Sequence, residues 1–482
     1  MKKMKTIWIV LVVVLMTACT DNFEEINKNP NLPENVSPQF LLSNIISVSA
    51  DRNTYEQGFR LANYLAQFSA SVEFERIDRY EMGSNSGYWN TVYRLLSDIR
   101  SMQEIEGTNE AYQAVGDIMR CYLFSQMTDM YGDIPYTDAV NALDGNYSPS
   151  YDTQESIYMD NETGIFAVLA KSVEILNSTN FSIQGDVMFK NDLNQWIRFA
   201  NSLRIRYYLR VSNKTNDFSE MQSIVANEDL MQSNADNAVV PYLSSAPNQW
   251  PMSVAGLGLY QEHRMTQTVD SVLSLWDDPR VTILYKPSEA SVLDGNPEYN
   301  GLLNGQSRET IAENGVNLSK ISLFGSVFRD VPDGVDGQFM QYAELQFALA
   351  EASLKGYISG DYNTYYQEGV SASFDYWGVD LPLDYFARPS ISLTGNTEQD
   401  LVKILSQKWL SLINNGHEAW FNVRRTGIPN LQPGPDDLNA GLYPVRYLYP
   451  ESEQATNAEN FQEAAERIGG NNVNSKGWWE GG

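Results

Sequence analysis

Apolar residues recur at helical spacing along most of this chain. Phe40, Leu41, Leu42, Ile45, Ile46 and Val48 open the pattern just after Pro38, and Leu61, Tyr64, Leu65, Phe68 and Val72 repeat it. Spacing of i, i+3, i+4 predicts amphipathic helices. Four further blocks carry it strongly. Segment 88–105 has Trp89, Val92, Tyr93, Leu96 and Ile99, and 111–130 has Val115, Ile118, Met119, Tyr122 and Met127. Segment 196–211 has Ile197, Phe199, Leu203, Ile205, Tyr208 and Leu209, and 340–354 has Tyr342, Leu345, Leu349 and Ala352. In the last block Ala343, Ala348, Ala350 and Ala352 would let a neighbouring helix come close, while Glu344 and Glu351 fall on another side.

Gly356, Gly360 and Asp361 end that block, and a second helix is predicted over 362–377 with Tyr365, Tyr366, Val370, Phe374 and Tyr376. Two helices joined by a short turn, packed through alanines and aromatics, match a tetratricopeptide-like unit. A second pair is predicted at 401–414 and 418–425. The expected fold class is mainly α: tetratricopeptide-like helical hairpins with long loop-rich elaborations. Stretches 132–160, 232–262, 285–338 and 426–482 are rich in Gly, Pro, Asn and Asp and read as loops. Loops this long are uncommon without a function.

The N-terminus breaks the pattern. Lys2, Lys3 and Lys5 precede ten unbroken apolar residues, Ile7 to Met16, and Met16-Thr17-Ala18-Cys19 follows. Ten residues are too few for a membrane span, which needs about 20; this is a signal-peptide pattern. A cysteine closing such a run marks the lipidation site of a bacterial lipoprotein, with Met16 standing where Leu is more usual. The expected organisation is a signal peptide over 1–18, a lipidated tether over 19–37 and one helical domain with long inserted loops over 38–482. The tether is polar, running from Thr20 to Asn31 with a turn at Asn29-Pro30. With Cys19 lipidated, Cys121 has no disulfide partner and is expected to be a buried inert thiol.

Charge narrows the partners. The formal net charge is −28, and loss of 1–18 removes three lysines and no acid. Nucleic-acid binding needs a basic patch, so nucleic acid is excluded as a partner. The membrane is expected to be reached through the N-terminal lipid only. Catalytic chemistry is poorly supplied. His263 and His417 are the only histidines, and neither has a metal-ligand companion at i+3 to i+5. Gly83-Ser84-Asn85-Ser86-Gly87 has the wrong glycine spacing for a nucleophile elbow. With 61 acids, any carboxylate pair can be nominated for glycoside hydrolysis, which empties that signal. Asp330, Asp333 and Asp336 read as a solvated turn in preference to a Ca²⁺ loop. No catalytic residue, metal or cofactor is expected.

Aromatics are plentiful, with 10 Trp and 28 Tyr. A flat aromatic face packs on the C–H face of a sugar ring while amides bond its hydroxyls, a combination suited to small ligands. Three loop clusters supply it: Tyr80, Asn85, Tyr88 and Trp89; Asn248 and Trp250 in Asn248-Gln249-Trp250-Pro251; and Tyr299 in Asn296-Pro297-Glu298-Tyr299-Asn300. These seven residues are the candidate ligand contacts. Trp276, Trp377, Trp409 and Trp420 sit on helical patterns and are expected in the core. Trp478 and Trp479 read as a disordered tail or a partner contact.

An ordered set of blocks resembles the SusD/RagB family of outer-membrane nutrient-binding lipoproteins, in its SusD-like second branch. The blocks are Asp21-Asn22-Phe23-Glu24-Glu25-Ile26-Asn27; Thr128 to Tyr136; Trp196 to Arg206; Asp277-Asp278-Pro279-Arg280; Tyr342 to Phe347 with Ala350-Glu351-Ala352; and Gln407-Lys408-Trp409 with Glu418 to Phe421 and Arg424-Arg425. Together they run along essentially the whole chain. The resemblance implies a lid over a SusC-like, TonB-dependent outer-membrane barrel that imports oligosaccharides or peptides. The shared blocks also have plain structural readings. Gly132 and Pro135 form a helix exit, Arg198, Arg204 and Arg206 pair with acids, and Glu418, Trp420, Arg424 and Arg425 form a cluster. The competing functional readings are a surface glycosidase or other hydrolase, and a structural or adhesive surface protein.

Overall fold

The computed structural model describes residues 37–480; the expected signal peptide, Cys19 and most of the tether lie outside them. The architecture is helical, with two small two-stranded antiparallel sheets among the described residues. Helix Ser86–Glu104 packs on Glu110–Tyr131, which packs on Ile165–Ser178, which in turn packs on Leu193–Arg210. Tyr342–Leu354 then packs on Leu193–Arg210, on its hairpin partner Tyr362–Tyr376 and on Thr397–Ser411. The tetratricopeptide-like hairpins expected from periodicity are therefore present. Ile165–Ser178 is a further helix.

Tyr342–Leu354 is the central strut. Leu345, Ala348, Leu349 and Ala352 belong to one hydrophobic core, and Ala343, Phe347 and Ala350 to a second. A helix apolar on all sides is a buried one. Its two acids are buried too and carry the main ionic contacts. Arg206 holds Glu344 bidentately at 2.7 and 2.6 Å, and Arg425 holds Glu351 through two 2.6 Å bonds. Arg210 donates to Glu418 at 2.6 Å and sits 2.9 Å from Asp129. Arg198 and Arg204 pair with Asp236 and Glu220, and Arg280 with Asp278. Burial alone would raise the Glu351 carboxyl; Arg425, Lys355 and Lys408 outweigh it and hold it well below the usual carboxylate range. The arginine-bearing blocks thus brace helix against helix, as their bland reading predicted.

The C-terminal segment departs from its tail reading. Trp479 is 0 % exposed, and its indole N–H donates to Asp129 at 2.8 Å. Arg424 grips Glu480 at 2.9 and 2.6 Å. The 426–482 stretch also contains helices Glu451–Thr456 and Ala458–Arg467, and it buries Tyr447, Tyr449 and Phe461. Tyr447 and Tyr449 are core residues on irregular backbone, which periodicity cannot reveal.

The pattern over 61–72 differs as well. An eleven-residue π-helix, Arg52–Ala62, follows helix Pro38–Asp51 directly. Asn63–Leu65 continues it, Gln67 turns with φ +56°, and Ser69–Ala70 pairs with Arg264–Met265. Val72 is therefore not helical. Gly58 has a packing reason: a Cβ there would lie 2.6 Å from the Asn414 carbonyl oxygen. Cys121 is buried and free, its thiol raised by burial. The Trp residues expected in the core, 276, 377, 409 and 420, are there.

Candidate functional site

The site begins where helix Pro38–Asp51 gives way to the π-helix. π-Helical turns are rare and frequently occur at functional sites. Here the transition sets Asp51 and Arg52 side by side at the rim of a cavity of about 600 Å³. The opposite wall is strand Ala238–Pro241, which pairs antiparallel with Asp336–Met340 and aligns Val240 with Gly337. A Cβ at Gly337 would fall 2.8 Å from that of Ala50, so glycine lets the sheet lie against the first helix. Pro241 lacks an N–H and suits the strand end.

Val48, Ala50, Val240, Pro241, Leu243, Pro247 and Pro251 form apolar lining; Asp51, Arg52, Arg94, Tyr242, Asn248 and Gln249 supply the polar groups. Tyr242 donates its hydroxyl to Asp51 at 3.1 Å. Burial raises the Asp51 carboxyl, and this hydrogen bond acts against the rise. The 243–248 loop closes on itself, Leu243 N–H donating to the Asn248 carbonyl at 2.6 Å. That leaves the exposed Asn248 amide side chain on the lining. An apolar wall with a few convergent polar groups is the layout of a small-ligand pocket.

The structure separates the seven sequence candidates. Asn248 lines the cavity. Trp250 stands behind it, fully buried, with its indole N–H on the Phe328 carbonyl at 2.8 Å and its ring edge-on to Tyr55, Phe59 and Tyr242 at 5.4–5.6 Å. Its ring therefore presents no face to a ligand; it supports Tyr242, which does line the cavity. Tyr80, Tyr88 and Trp89 are likewise core residues. Tyr80 accepts a hydrogen bond from Gln67 at 3.0 Å, and Trp89 packs edge-on to Tyr131 at 4.9 Å. Asn85, in the left-handed region at the start of Ser86–Glu104, donates to Gln57 at 2.6 Å. Tyr299 is half-buried against the second core, while Asn296, Glu298 and Asn300 beside it line a separate, polar hollow of about 440 Å³.

Sequence reasoning missed Asp51, Arg52, Arg94 and Tyr242. The only signal available was the acid–base pair Asp51-Arg52 closing an apolar helix; nothing in the pattern marks Tyr242. No group of three or more His, Cys, Asp or Glu suited to a metal ion occurs among the described residues. His263 and His417 are buried, lowered to about 3 chiefly by burial, and pair with Ser69 at 3.1 Å and Tyr447 at 2.9 Å. Among the described residues no helix is long and apolar enough to cross a membrane.

Comparison with known proteins bears on the family and the fold. A SusD-like family model, described as "Starch-binding associating with outer membrane", matches residues 30–450. Among curated proteins no relative matches the chain. Among solved structures, a SusD homologue from Bacteroides fragilis is 28% identical, with a TM-score of 0.81 over 92% of this chain and 99% of its own. A SusD homologue from Bacteroides uniformis is 23% identical, TM-score 0.78, covering 93% of this chain and 100% of its own. A chitin-binding SusD homologue from Flavobacterium johnsoniae is 23% identical, TM-score 0.77, covering 92% and 98%. The family match spans most of the chain, and the chain belongs to the SusD-like family.

Proposed function

We propose that this protein is a glycan-binding lipoprotein of the bacterial outer membrane, exposed at the cell surface, that acts as the lid of a SusC-like, TonB-dependent transporter. The family match over 30–450 carries the proposal, because that family is described as starch-binding and outer-membrane-associated. The chitin-binding relative with the same fold supports a carbohydrate ligand over a peptide. The Met16-Thr17-Ala18-Cys19 sequence after an apolar run supports a lipid anchor, and the polar residues after it supply a tether on which a lid can swing. The protein performs no chemistry of its own: it captures the ligand and delivers it to the barrel. Asn248, Gln249 and Tyr242 contact the glycan at the cavity; Trp250 holds that wall in place.

Titration calorimetry with starch- and chitin-derived oligosaccharides tests this reading. Saturable binding weakened about tenfold by Asn248→Ala is expected, the loss of a good amide hydrogen bond with its ligand. Failure of every glycan to bind, or turnover of the sugar, would sink it. Cys19→Ala is expected to release the protein from the membrane, and a tagged wild type to co-purify with a large barrel protein.

A further inference from the structure

We infer that the cavity of about 600 Å³ takes a glycan carrying an anionic group, either a uronate carboxylate or a sulfate ester. This deepens the proposed function and rests on it. The chain holds 33 Lys and Arg against 61 Asp and Glu, so most of its surface repels anions. Two of those scarce cations, Arg52 and Arg94, nevertheless line one cavity, and they come from separate helices. Asp51 is the only acid on that lining, and it already accepts the Tyr242 hydroxyl.

Neither arginine is tied down. Arg94 is exposed, and among the described residues it forms no hydrogen bond or ion pair; it acts on Asp98 through space. Arg52 meets Glu56 at 3.5 Å on the same helical segment, with side-chain exposures of 43% and 29%. A half-exposed pair of this kind contributes little and can be exchanged for a ligand anion. The arginines elsewhere in the fold differ: Arg206, Arg210 and Arg425 are each locked to a buried carboxylate. Guanidinium groups bind carboxylate and sulfate through paired, charge-assisted hydrogen bonds. The hydroxyls of a neutral sugar can also accept from these guanidinium groups, but only an anionic group gains the charge-assisted pairing. An acidic sugar can set its ring on Val48 and Val240, its hydroxyls on Asn248 and its anion on the arginines. The surrounding negative field makes a cavity where two loosely held cations converge the favoured place for such a ligand.

The test is calorimetry on the full chain with three ligands of matched length: oligogalacturonate, a sulfated galactan oligosaccharide and a neutral chito-oligosaccharide. Wild type, Arg94→Gln, Arg52→Gln and Asn248→Ala are compared at low and high salt. One anionic ligand should bind at least tenfold tighter than the neutral one. That preference should shrink about tenfold in Arg94→Gln, whose melting temperature should match wild type, and it should fall with salt. Which anionic ligand wins identifies the group. A neutral sugar bound as tightly, and weakened by Asn248→Ala, overturns the charge inference and leaves the glycan reading standing. An anionic preference that survives both arginine variants overturns its placement here. No binding by any of the three removes this inference together with the reading beneath it.

Discussion

The ionic core and the loop-built cavity use the same residue types to opposite ends. In the core, Arg206, Arg210 and Arg425 are almost fully buried and each meets a carboxylate at 2.6 Å. At the cavity, Arg52 and Arg94 are accessible and weakly held. A buried charge without its partner is costly, so the core arrangement tolerates no exchange of partners. An exposed charge costs little to leave free, so the arginines at the cavity can exchange partners. The family blocks that bear these arginines belong to the first region. What distinguishes this protein from its relatives is expected in the second.

The comparison breaks if core variants lose binding without losing stability, or if cavity variants unfold. The largest effect is expected from Glu344→Ala, which strands Arg206 and should cost about 3–5 kcal/mol in urea unfolding. The double variant Arg206→Met, Glu344→Leu should recover most of that loss. Trp250→Ala should cost about 3–5 kcal/mol by leaving a cavity, and it should also weaken glycan binding, because it bridges the two regions. Gly58→Ala forces a Cβ against the rigid Asn414 carbonyl and should cost about 1–3 kcal/mol in thermal melts.

A pH titration sharpens the core side. His263 falls to about 3 through burial, so below its ordinary value the unfolded chain takes up a proton that the folded chain refuses. That term removes stability as pH falls from 6.5 towards 3. Burial raises Asp78 to about 7 and Asp129 to about 6, which costs stability as pH rises from 3.8 and so offsets the histidines in the overlap. His263→Asn should gain on wild type by about 1.4 kcal/mol per unit as pH drops from 6 to 4. The smallest effect belongs to Asn248→Ala. Its stability should stay within about 0.5 kcal/mol of wild type while glycan binding weakens. A destabilised Asn248→Ala would mean that this loop belongs to the core.

Helices with a continuous apolar stripe were legible. Segments 88–105 and 111–130 correspond to Ser86–Glu104 and Glu110–Tyr131 within two residues at each end. Gly132 closes the second with φ +83°, as its helix-exit reading required. The loop aromatics were not legible in the same way. Trp250 on irregular backbone has the same sequence signature whether it packs inward or faces solvent, and it is the Phe328 carbonyl, 78 residues away, that takes its N–H. Trp479 lies near the end of the chain but fills a slot beside Asp129, 350 residues distant. Asp51 and Arg52 carry no mark either, because their importance comes from the strand that faces them.

By itself, the sequence determined the helical class, the acidic character and the family blocks. All of these depend on local spacing or on residue type, which neighbours along the chain suffice to express. The tertiary structure decided which aromatics are core, which acids neutralise which arginines and where a cavity opens. Those depend on segments that meet only after folding: the first helix, the π-helix and the 238–251 strand and loop share no local pattern, yet together they enclose a cavity lined by two weakly held arginines.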